Sequence, residues 1–413
     1  MRTAVPIHLG ERFAADSLRV VTSTSAARTT HAVLAGVICG FVGFTSSFAV
    51  VLTGVHAVGA SADQAASALL VLCLAMGLGT VAFSWRLRIP ITMAWSTPGA
   101  ALLATAAVPH GGFAAAVGAF MVCGVLLALC GLVRPLGNLV ARIPPTLANG
   151  MLAGVLLTLC AAPFLAVVDE PAAILPVMLV WLALTAWARR WAVPGALVAA
   201  IAVMAVDGVF GQLAAGAASP TITWVTPTFH GGALIAIAVP LFIVTMTSQN
   251  IPGIAVLASF GYRPDMRAPL AYAGAASTVG AVGGGHAINL AAISAALAAG
   301  PEAHPDPDRR WIAGVSCGFT YLAFGPLSAL VTEVASAAPA GLVETIAGLA
   351  LLGTLAGAAA AALGDPEHRE AAALTIVVAA SGMTIAGVGA AFWGLVAGAA
   401  YLLVTGWRAR IGR

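Results

Sequence analysis

The chain has 413 residues, of which 61% are hydrophobic and 8% are charged, and its mean hydropathy is +1.01. Soluble proteins carry about 25% charged residues, so the composition excludes a water-soluble fold and requires a lipid bilayer as the surrounding solvent. The formal net charge is +3, and all 18 basic residues are arginine. The 6 cysteines lie in apolar runs without a CxxC pair, which argues against a zinc site or a disulfide framework.

Apolar runs predict the membrane spans, because a helix needs about 20 mostly apolar residues to cross a bilayer. Residues 30–210 hold seven such runs, at 30–55, 62–85, 90–108, 112–133, 146–168, 172–190 and 192–210. Residues 232–407 hold another seven, at 232–258, 267–281, 283–300, 311–332, 338–363, 371–384 and 386–407. We expect an all-α polytopic membrane protein with 14 transmembrane segments, tails at 1–29 and 408–413, and an extracytoplasmic connection at 211–231.

Arginine positions predict the orientation of the spans. With the amino terminus in the cytoplasm, all 18 arginines fall in the two tails or in the even-numbered turns between spans, as the positive-inside bias requires. A missed or additional span would break this alternation. Both termini are therefore expected to be cytoplasmic. The arginines of the turns are Arg86, Arg88, Arg134, Arg142, Arg189, Arg190, Arg263, Arg267, Arg309, Arg310 and Arg369.

Seven spans in each half predict two inverted 7-span repeats. An odd number places the second half upside down relative to the first, which is the plan of many secondary transporters. Spans 3 and 10 are both short and interrupted, at residues 96–99 and 283–286. Broken spans in corresponding positions point to a binding site.

The residues at the two breaks predict where each half-helix begins. In span 3 the extended run 89–95 should be followed by a helix. Thr97 can act as its N-cap, with Pro98 as the first helical residue. In span 10 the glycines up to Gly285 cannot sustain a helix, whereas the residues from His286 to Leu297 can.

The two half-helix N-termini are expected to face each other inside the membrane. Each carries about half a positive charge and unpaired N–H groups, so together they predict an anion site formed by Ser96, Thr97, Gly99 and Gly285. The alternative is that these glycines only permit close helix packing. We expect that packing role for four other pairs, Gly36/Gly40, Gly150/Gly154, Gly353/Gly357 and Gly394/Gly398.

Polar residues at membrane depth extend the candidate site. Ser46 lies in span 1, and Gln249 and Asn250 lie in the corresponding part of span 8. Polar side chains at this depth need partners. They contact either a substrate or coupling ion, or only the neighbouring helices around a kink at Pro252.

Three stretches resemble the benzoate:proton symporter (BenE-type) family. They are PITMAWSTPGA at 90–100, SQNIPGIAVL at 248–257 and GGHAINL at 284–290, and the second is the most specific. The resemblance implies a carrier of the bacterial inner membrane that takes up benzoate with protons, on the seven-plus-seven fold shared with nucleobase and sulfate carriers. It also implies a core domain of spans 1–4 and 8–11, a gate domain of spans 5–7 and 12–14, and a possible homodimer.

The main alternative is a nucleobase:proton symporter on the same fold. Those carriers resemble one another in placing carboxylates at the substrate site in spans 8 and 10, where this chain has Gln249, Asn250, His286 and Asn289. Neutral side chains and histidine suit an anionic substrate better, because a carboxylate would repel it. An ion channel or a receptor is less well supported, since neither pore-lining rings nor a signalling domain is recognisable. GxSxG, HExxH and P-loop motifs are missing, so we expect no enzyme, cofactor, metal or nucleic-acid partner.

An aromatic carboxylate transported with protons implies further site residues. Phe44, Phe48 and Trp95 are candidate contacts of the ring. His286 is the titratable group closest to the predicted site, and an unperturbed histidine titrates near pH 6.5. A bound carboxylate would favour its protonation, which would couple the two ions. The alternatives are a neutral His286 that only hydrogen-bonds, or remote proton carriers at Asp207, Glu333 or Glu344.

Overall fold

The computed structural model describes residues 29–133, 135, 144–212, 219–385 and 388–411. Almost all of the expected amino-terminal tail, part of the 211–231 connection and the end of the carboxyl-terminal tail lie outside these residues. The turn arginines Arg134 and Arg142 lie outside them as well.

The described helices follow the predicted spans in chain order. In the first half they are α1 Thr29–Ala57, α2 Ala62–Leu87, α3 Thr97–Ala104, α4 Gly112–Leu132, α5 Pro145–Asp169, α6 Pro171–Trp187 and α7 Ala192–Val206, with strand β1 Met93–Trp95 before α3. In the second half they are α8 Gly231–Ser259, α9 Arg267–Ala281, α10 Ile293–Ala299, α11 Pro307–Ser336, α12 Leu342–Leu363, α13 Arg369–Ala380 and α14 Ala390–Ile411. Strand β2 Ile288–Leu290 precedes α10, and a short pair, β3 Thr384–Ile385 and β4 Val388–Gly389, precedes α14.

The length and apolar composition of the helices identify the protein as an all-helical membrane protein. Within the described residues, 8 helices are long and apolar enough to cross a bilayer, namely α1, α2, α4, α5, α8, α11, α12 and the segment Arg189–Val206 that includes α7. The apolar helix α6 and the apolar part of α14 are shorter.

Local signals explain where α2 begins and ends. The backbone N–H of Gln64 donates to Ser61 Oγ, and Gln64 Oε1 accepts from the backbone N–H of Ser61, which is a capping box. Beyond the last turn Arg88 adopts a left-handed conformation with φ of 56°. Its guanidinium stacks 4.0 Å from the centroid of the Trp311 ring, which joins this turn to α11.

Two helices are interrupted in corresponding parts of the halves. A turn at Ser46 and Ser47 divides α1, and both hydroxyls donate to the carbonyl oxygen of Gly43. In α8 the segment Met246–Asn250 is a π-helix, a distortion that is frequent at functional sites. The polar cluster of span 8 lies in this segment.

The strands β1 and β2 form an antiparallel pair at the centre of the fold. Met93 is opposite Leu290, Ala94 is opposite Asn289, and Trp95 is opposite Ile288. Because the strands run in opposite directions, α3 and α10 start at opposite ends of the pair.

Two predicted helix starts need correction. The N-cap of α3 is Ser96, not Thr97, since Ser96 Oγ accepts the backbone N–H of Gly99 at 3.1 Å. The helix predicted from His286 to Leu297 begins only at Ile293, after β2. Helix propensity does not decide here, because the backbone of β2 pairs with β1, which local sequence does not reveal.

Side chains from both halves accept hydrogen bonds from the backbone N–H groups at the outer edges of the strand pair. The N–H of Met93 donates to Thr80 Oγ1 at 2.8 Å, and the N–H of Ile288 donates to Ser277 Oγ at 2.8 Å. The N–H of Leu290 donates to Asn250 Oδ1 at 2.9 Å. These buried strand edges have no water to bond, so α2, α8 and α9 supply the partners.

The helices pack most densely within two sets. In one set α2 packs on α11, α4 on α9, and α1 on α3. In the other α5 packs on α12 and α13, α13 on α14, and α6 on α7. The sets meet where α12 contacts α1 and where α5 contacts α3, so the strand pair lies beside the boundary between them.

The expected glycine contacts form for three of the four pairs. A Cβ on Gly36 or Gly154 would lie 2.2 Å or 2.5 Å from a backbone oxygen of a neighbouring helix, and the partners Gly40, Gly150, Gly394 and Gly398 are also tightly approached. A Cβ on Gly353 or Gly357 would meet no described residue within 4 Å, so the packing prediction was wrong for that pair within the described chain.

Candidate functional site

A cavity of about 470 Å³ lies between the two sets of helices. On one wall are residues of α1, α2, β1, α8 and α11 and the starts of α3 and α10, and on the other are residues of α6, α7 and α12. Four of the residues predicted from the sequence line it: Ser46, Trp95, Thr97 and Gln249. The volume is in the range of sites for small organic ligands, about 300–1,000 Å³.

Thr97 supplies the hydrogen-bond donors at the start of α3. Pro98 has no N–H, and the N–H of Gly99 already donates to Ser96 Oγ. The N–H of Ala100 bonds the carbonyl oxygen of Ser96. The backbone N–H and hydroxyl of Thr97 remain, and Thr97 lines the cavity, so this helix start can bind an anion there.

Ser96 and Gly99 shape this helix start from behind. Ser96 is buried, and its Oγ lies 2.8 Å from Thr245 Oγ1 of α8. A Cβ on Gly99 would lie 2.4 Å from Leu241 Cδ1 and 2.7 Å from Ser96 Oγ, so a larger residue would displace the Leu241 side chain and crowd the cap. Neither residue lines the cavity.

The two predicted helix starts are unequal. Ala291 and Ala292, just before α10, line the cavity together with Thr97 and Pro98. However, α10 has only 7 residues, so its dipole contributes less than expected from the sequence. Gly285 lies before β2 and outside the lining.

The predicted ring contacts divide into one lining residue and two supporting ones. Trp95 lines the cavity, and its Nε1–H donates to Ser47 Oγ at 2.9 Å. Phe44 stacks on Phe324 with centroids 4.2 Å apart and meets the Trp95 ring edge-on at 5.6 Å. Phe48 stacks on Phe44. Phe44 and Phe48 therefore hold Trp95 in place, and neither lines the cavity.

Residues that sequence reasoning missed complete both walls. Trp181 and Thr185 from α6 and Tyr321 from α11 line the cavity. Nothing in their local sequence marks them, because they reach the site only through the packing of distant spans. Arg189 and Arg190 also line it, although their positions indicated only orientation.

His286 lies behind the strand pair and outside the cavity lining. It is fully buried, and its Nε2 lies 3.2 Å from the carbonyl oxygen of Ser96. A carbonyl oxygen only accepts, so Nε2 carries the proton. Nδ1 has no hydrogen-bond partner in the described part of the chain. His286 therefore contacts the residue that caps α3.

Asn250 and Asn289 are also buried behind the lining. Asn250 holds β2 by accepting the N–H of Leu290 and donates its amide to Met246 Sδ at 3.3 Å, so both ends of its side chain have partners. Asn289 is fully buried, and neither atom of its side-chain amide has a partner among the described residues. No group of three or more His, Cys, Asp or Glu within those residues is placed to hold a metal ion.

Comparisons with known proteins identify relatives over most of the chain. A family model described as benzoate membrane transport protein, BenE, matches residues 26–404. The inner membrane protein YdcO of Escherichia coli K12 is 37% identical over 365 residues, 88% of this chain and 93% of that protein. The benzoate membrane transport protein of Acinetobacter baylyi is 31% identical over 315 residues, 76% of this chain and 80% of that protein.

Two solved structures share the fold. The transmembrane domain of the cyanobacterial bicarbonate transporter BicA aligns with a TM-score of 0.57 at 15% identity, covering 88% of this chain and 97% of that chain. SLC26A9 aligns with a TM-score of 0.63 at 11% identity, covering 98% of this chain and 72% of that chain. At these identities the similarity concerns the fold alone.

Proposed function

The chain belongs to the family of benzoate membrane transport proteins, and from this premise we propose that it imports benzoate or a similar small aromatic carboxylate together with protons. Members of this family are membrane transporters and not enzymes. The resemblance of residues 90–100, 248–257 and 284–290 to the family is thereby confirmed.

The proposed transporter has a defined membrane topology and two domains. The protein crosses the bacterial inner membrane 14 times, with both termini in the cytoplasm and with β1–α3 and β2–α10 as broken spans. Spans 1–4 and 8–11 form the core domain, and spans 5–7 and 12–14 form the gate domain. Support comes from the dense packing within these two sets of helices and from the arginine distribution.

The residues that line the cavity support the proposed substrate. The donors of Thr97 face a space whose described lining holds Trp95, Trp181 and Tyr321 and no Asp or Glu. Such a space suits a flat ring that carries a negative charge, because the rings bury the apolar part and no carboxylate repels the anion. The carboxylates expected at the site of a nucleobase carrier are missing from this described lining.

His286 is the residue that couples protons to transport. Protonation of Nδ1 adds a positive charge to a ring that contacts the carbonyl oxygen of Ser96, the residue that caps α3. A carboxylate at the start of α3 favours that charge, and the charge favours the carboxylate by the same factor. Coupling then passes through Ser96 without contact between the imidazole and the substrate.

The test is uptake of labelled benzoate into proteoliposomes that contain the purified protein. An imposed gradient, acidic outside, should drive accumulation above equilibrium, and collapse of the gradient should abolish it. Benzamide has the same shape without the charge and should compete poorly, because the helix start recognises the carboxylate. Equal competition by benzamide, or uptake of uracil in place of benzoate, would contradict the proposal.

A further inference from the structure

Two arginines determine the charge of the cavity. Arg189 and Arg190 lie in the 3₁₀ turn Arg189–Trp191 between α6 and α7, and both side chains are exposed. Both line the cavity of about 470 Å³, in which every other described lining residue is uncharged at neutral pH. The cavity therefore extends to a turn on the arginine-bearing side of the protein.

Neither guanidinium is occupied by another residue. Within the described chain, Arg189 and Arg190 form no ion pair or hydrogen bond, and the ion pairs there are Arg309 with Asp306 and His368 with Asp365. The buried Arg310 is different, because its guanidinium donates to the carbonyl oxygens of Ala299 and His304. Arg310 stabilises the fold, whereas the two turn arginines have no bonded partner in the described chain and can bind an anion. Arg190 also lines a neighbouring pocket that includes Glu302, so Arg189 is the less hindered of the two.

Residues between the turn and the centre of the cavity form a continuous wall. Trp181 and Thr185 are four residues apart in α6, so they lie on one face of that helix, and both line the cavity. Arg189 follows in the 3₁₀ turn after α6 and lines the same cavity. An aromatic ring, a hydroxyl and a guanidinium therefore line the cavity from α6 to the exposed turn.

We propose that Arg189 and Arg190 form a second carboxylate subsite at the mouth of the cavity, which binds the anion before it reaches the start of α3 and after it leaves. This inference rests on the proposed function. Arginine binds carboxylates in a bidentate manner, and its exposure here keeps the binding weak, as release from a carrier requires. The subsite recognises the charge and tolerates different rings.

The attraction of the two arginines for an anion depends on the salt concentration, because dissolved ions screen their charge. Clefts with one sign of charge raise the local concentration of an oppositely charged ligand, and the Debye length falls from about 10 Å at 0.1 M salt to about 3 Å at 1 M. The subsite therefore lowers the half-saturating benzoate concentration on the arginine-bearing side at low salt and loses this effect at high salt.

The experiment measures benzoate efflux from oriented proteoliposomes against concentration on the arginine-bearing side, at low and high salt. The double variant Arg189→Gln/Arg190→Gln should raise the half-saturating concentration about three- to tenfold at low salt and little at high salt. Arg189→Lys/Arg190→Lys keeps the charge and should retain most of the wild-type value. The matched control is Arg263→Gln/Arg267→Gln, which removes two exposed arginines that do not line the cavity.

If the double variant does not fold, the wild-type protein still tests the inference. The half-saturating benzoate concentration of the wild type should rise with salt. A salt-independent wild-type value, or an equal change in the control pair, would overturn the subsite and leave the proposed function intact. Absence of saturable benzoate flux in the wild type would overturn both.

Discussion

Thr97 combines a backbone donor and a side-chain donor at one wall of the cavity. Thr97→Val keeps the shape of the side chain and removes the hydroxyl. We expect benzoate binding to weaken by about 1–3 kcal/mol, or about 5- to 150-fold in Kd, because the carboxylate loses a buried partner. Calorimetry or equilibrium binding on the purified protein measures the change.

The matched control for this variant is Thr105→Val. Thr105 follows the end of α3, bonds the carbonyl oxygen of Leu102 at 3.0 Å and does not line the cavity. Its replacement should leave Kd unchanged. Wild-type affinity in a folded Thr97→Val protein would locate the carboxylate elsewhere.

His286 offers a test of coupling that is separate from binding. His286→Gln retains an N–H that can donate to the carbonyl oxygen of Ser96 but cannot titrate. Accumulation of benzoate driven by a pH gradient should disappear, while exchange of benzoate down its own gradient continues. Labelled flux in both modes measures the outcome.

His304→Gln is the control, since His304 is also buried but lies in the loop before α11. It should accumulate benzoate like the wild type. If His286→Gln accumulates benzoate with unchanged pH dependence, the coupling group is another residue, such as Asp207, Glu333 or Glu344.

At the scale of elements, the strand pair depends on side chains that replace water. Thr80→Val removes the acceptor of the Met93 N–H and leaves a buried donor unpaired. The expected cost is about 1–3 kcal/mol of stability, seen as a lower midpoint of thermal unfolding in detergent. Thr158→Val should not lower it, because that hydroxyl only bonds Val155 of its own helix. Equal midpoints for the two variants would show that the β1 edge finds another partner.

At the scale of the whole molecule, the arginine distribution predicts which turns share a side of the membrane. The 6 native cysteines are buried, so an introduced cysteine can be labelled selectively. Cysteines replacing Arg86 and Arg309, both exposed, should react with an impermeant reagent only from the cytoplasmic side. Arg310 is only 6% exposed and is unsuitable for this purpose.

Two positions on the opposite side complete the topology test. Cysteines replacing Asp63 and Glu170, also exposed, should react from outside intact cells. The opposite result at either pair of positions would contradict the 14-span topology, since one extra or missing span reverses every later turn.

The sequence by itself determined the membrane class and the family. Hydropathy and charge act locally, because a long apolar run favours lipid and arginines favour the ends of spans over their interiors. Breaks at residues 96–99 and 283–286 were visible for the same reason, since proline and glycine act on their own segment.

Only the tertiary structure decided which candidate residues share a cavity. The helix predicted at His286 became strand β2 because its backbone pairs with a strand almost 200 residues earlier. Phe44 and Phe48 support Trp95 from behind, whereas Trp181, Tyr321 and Arg189 reach the site from other spans. Contacts between distant segments depend on how inverted halves pack, and no local pattern of hydropathy, propensity or charge encodes that arrangement.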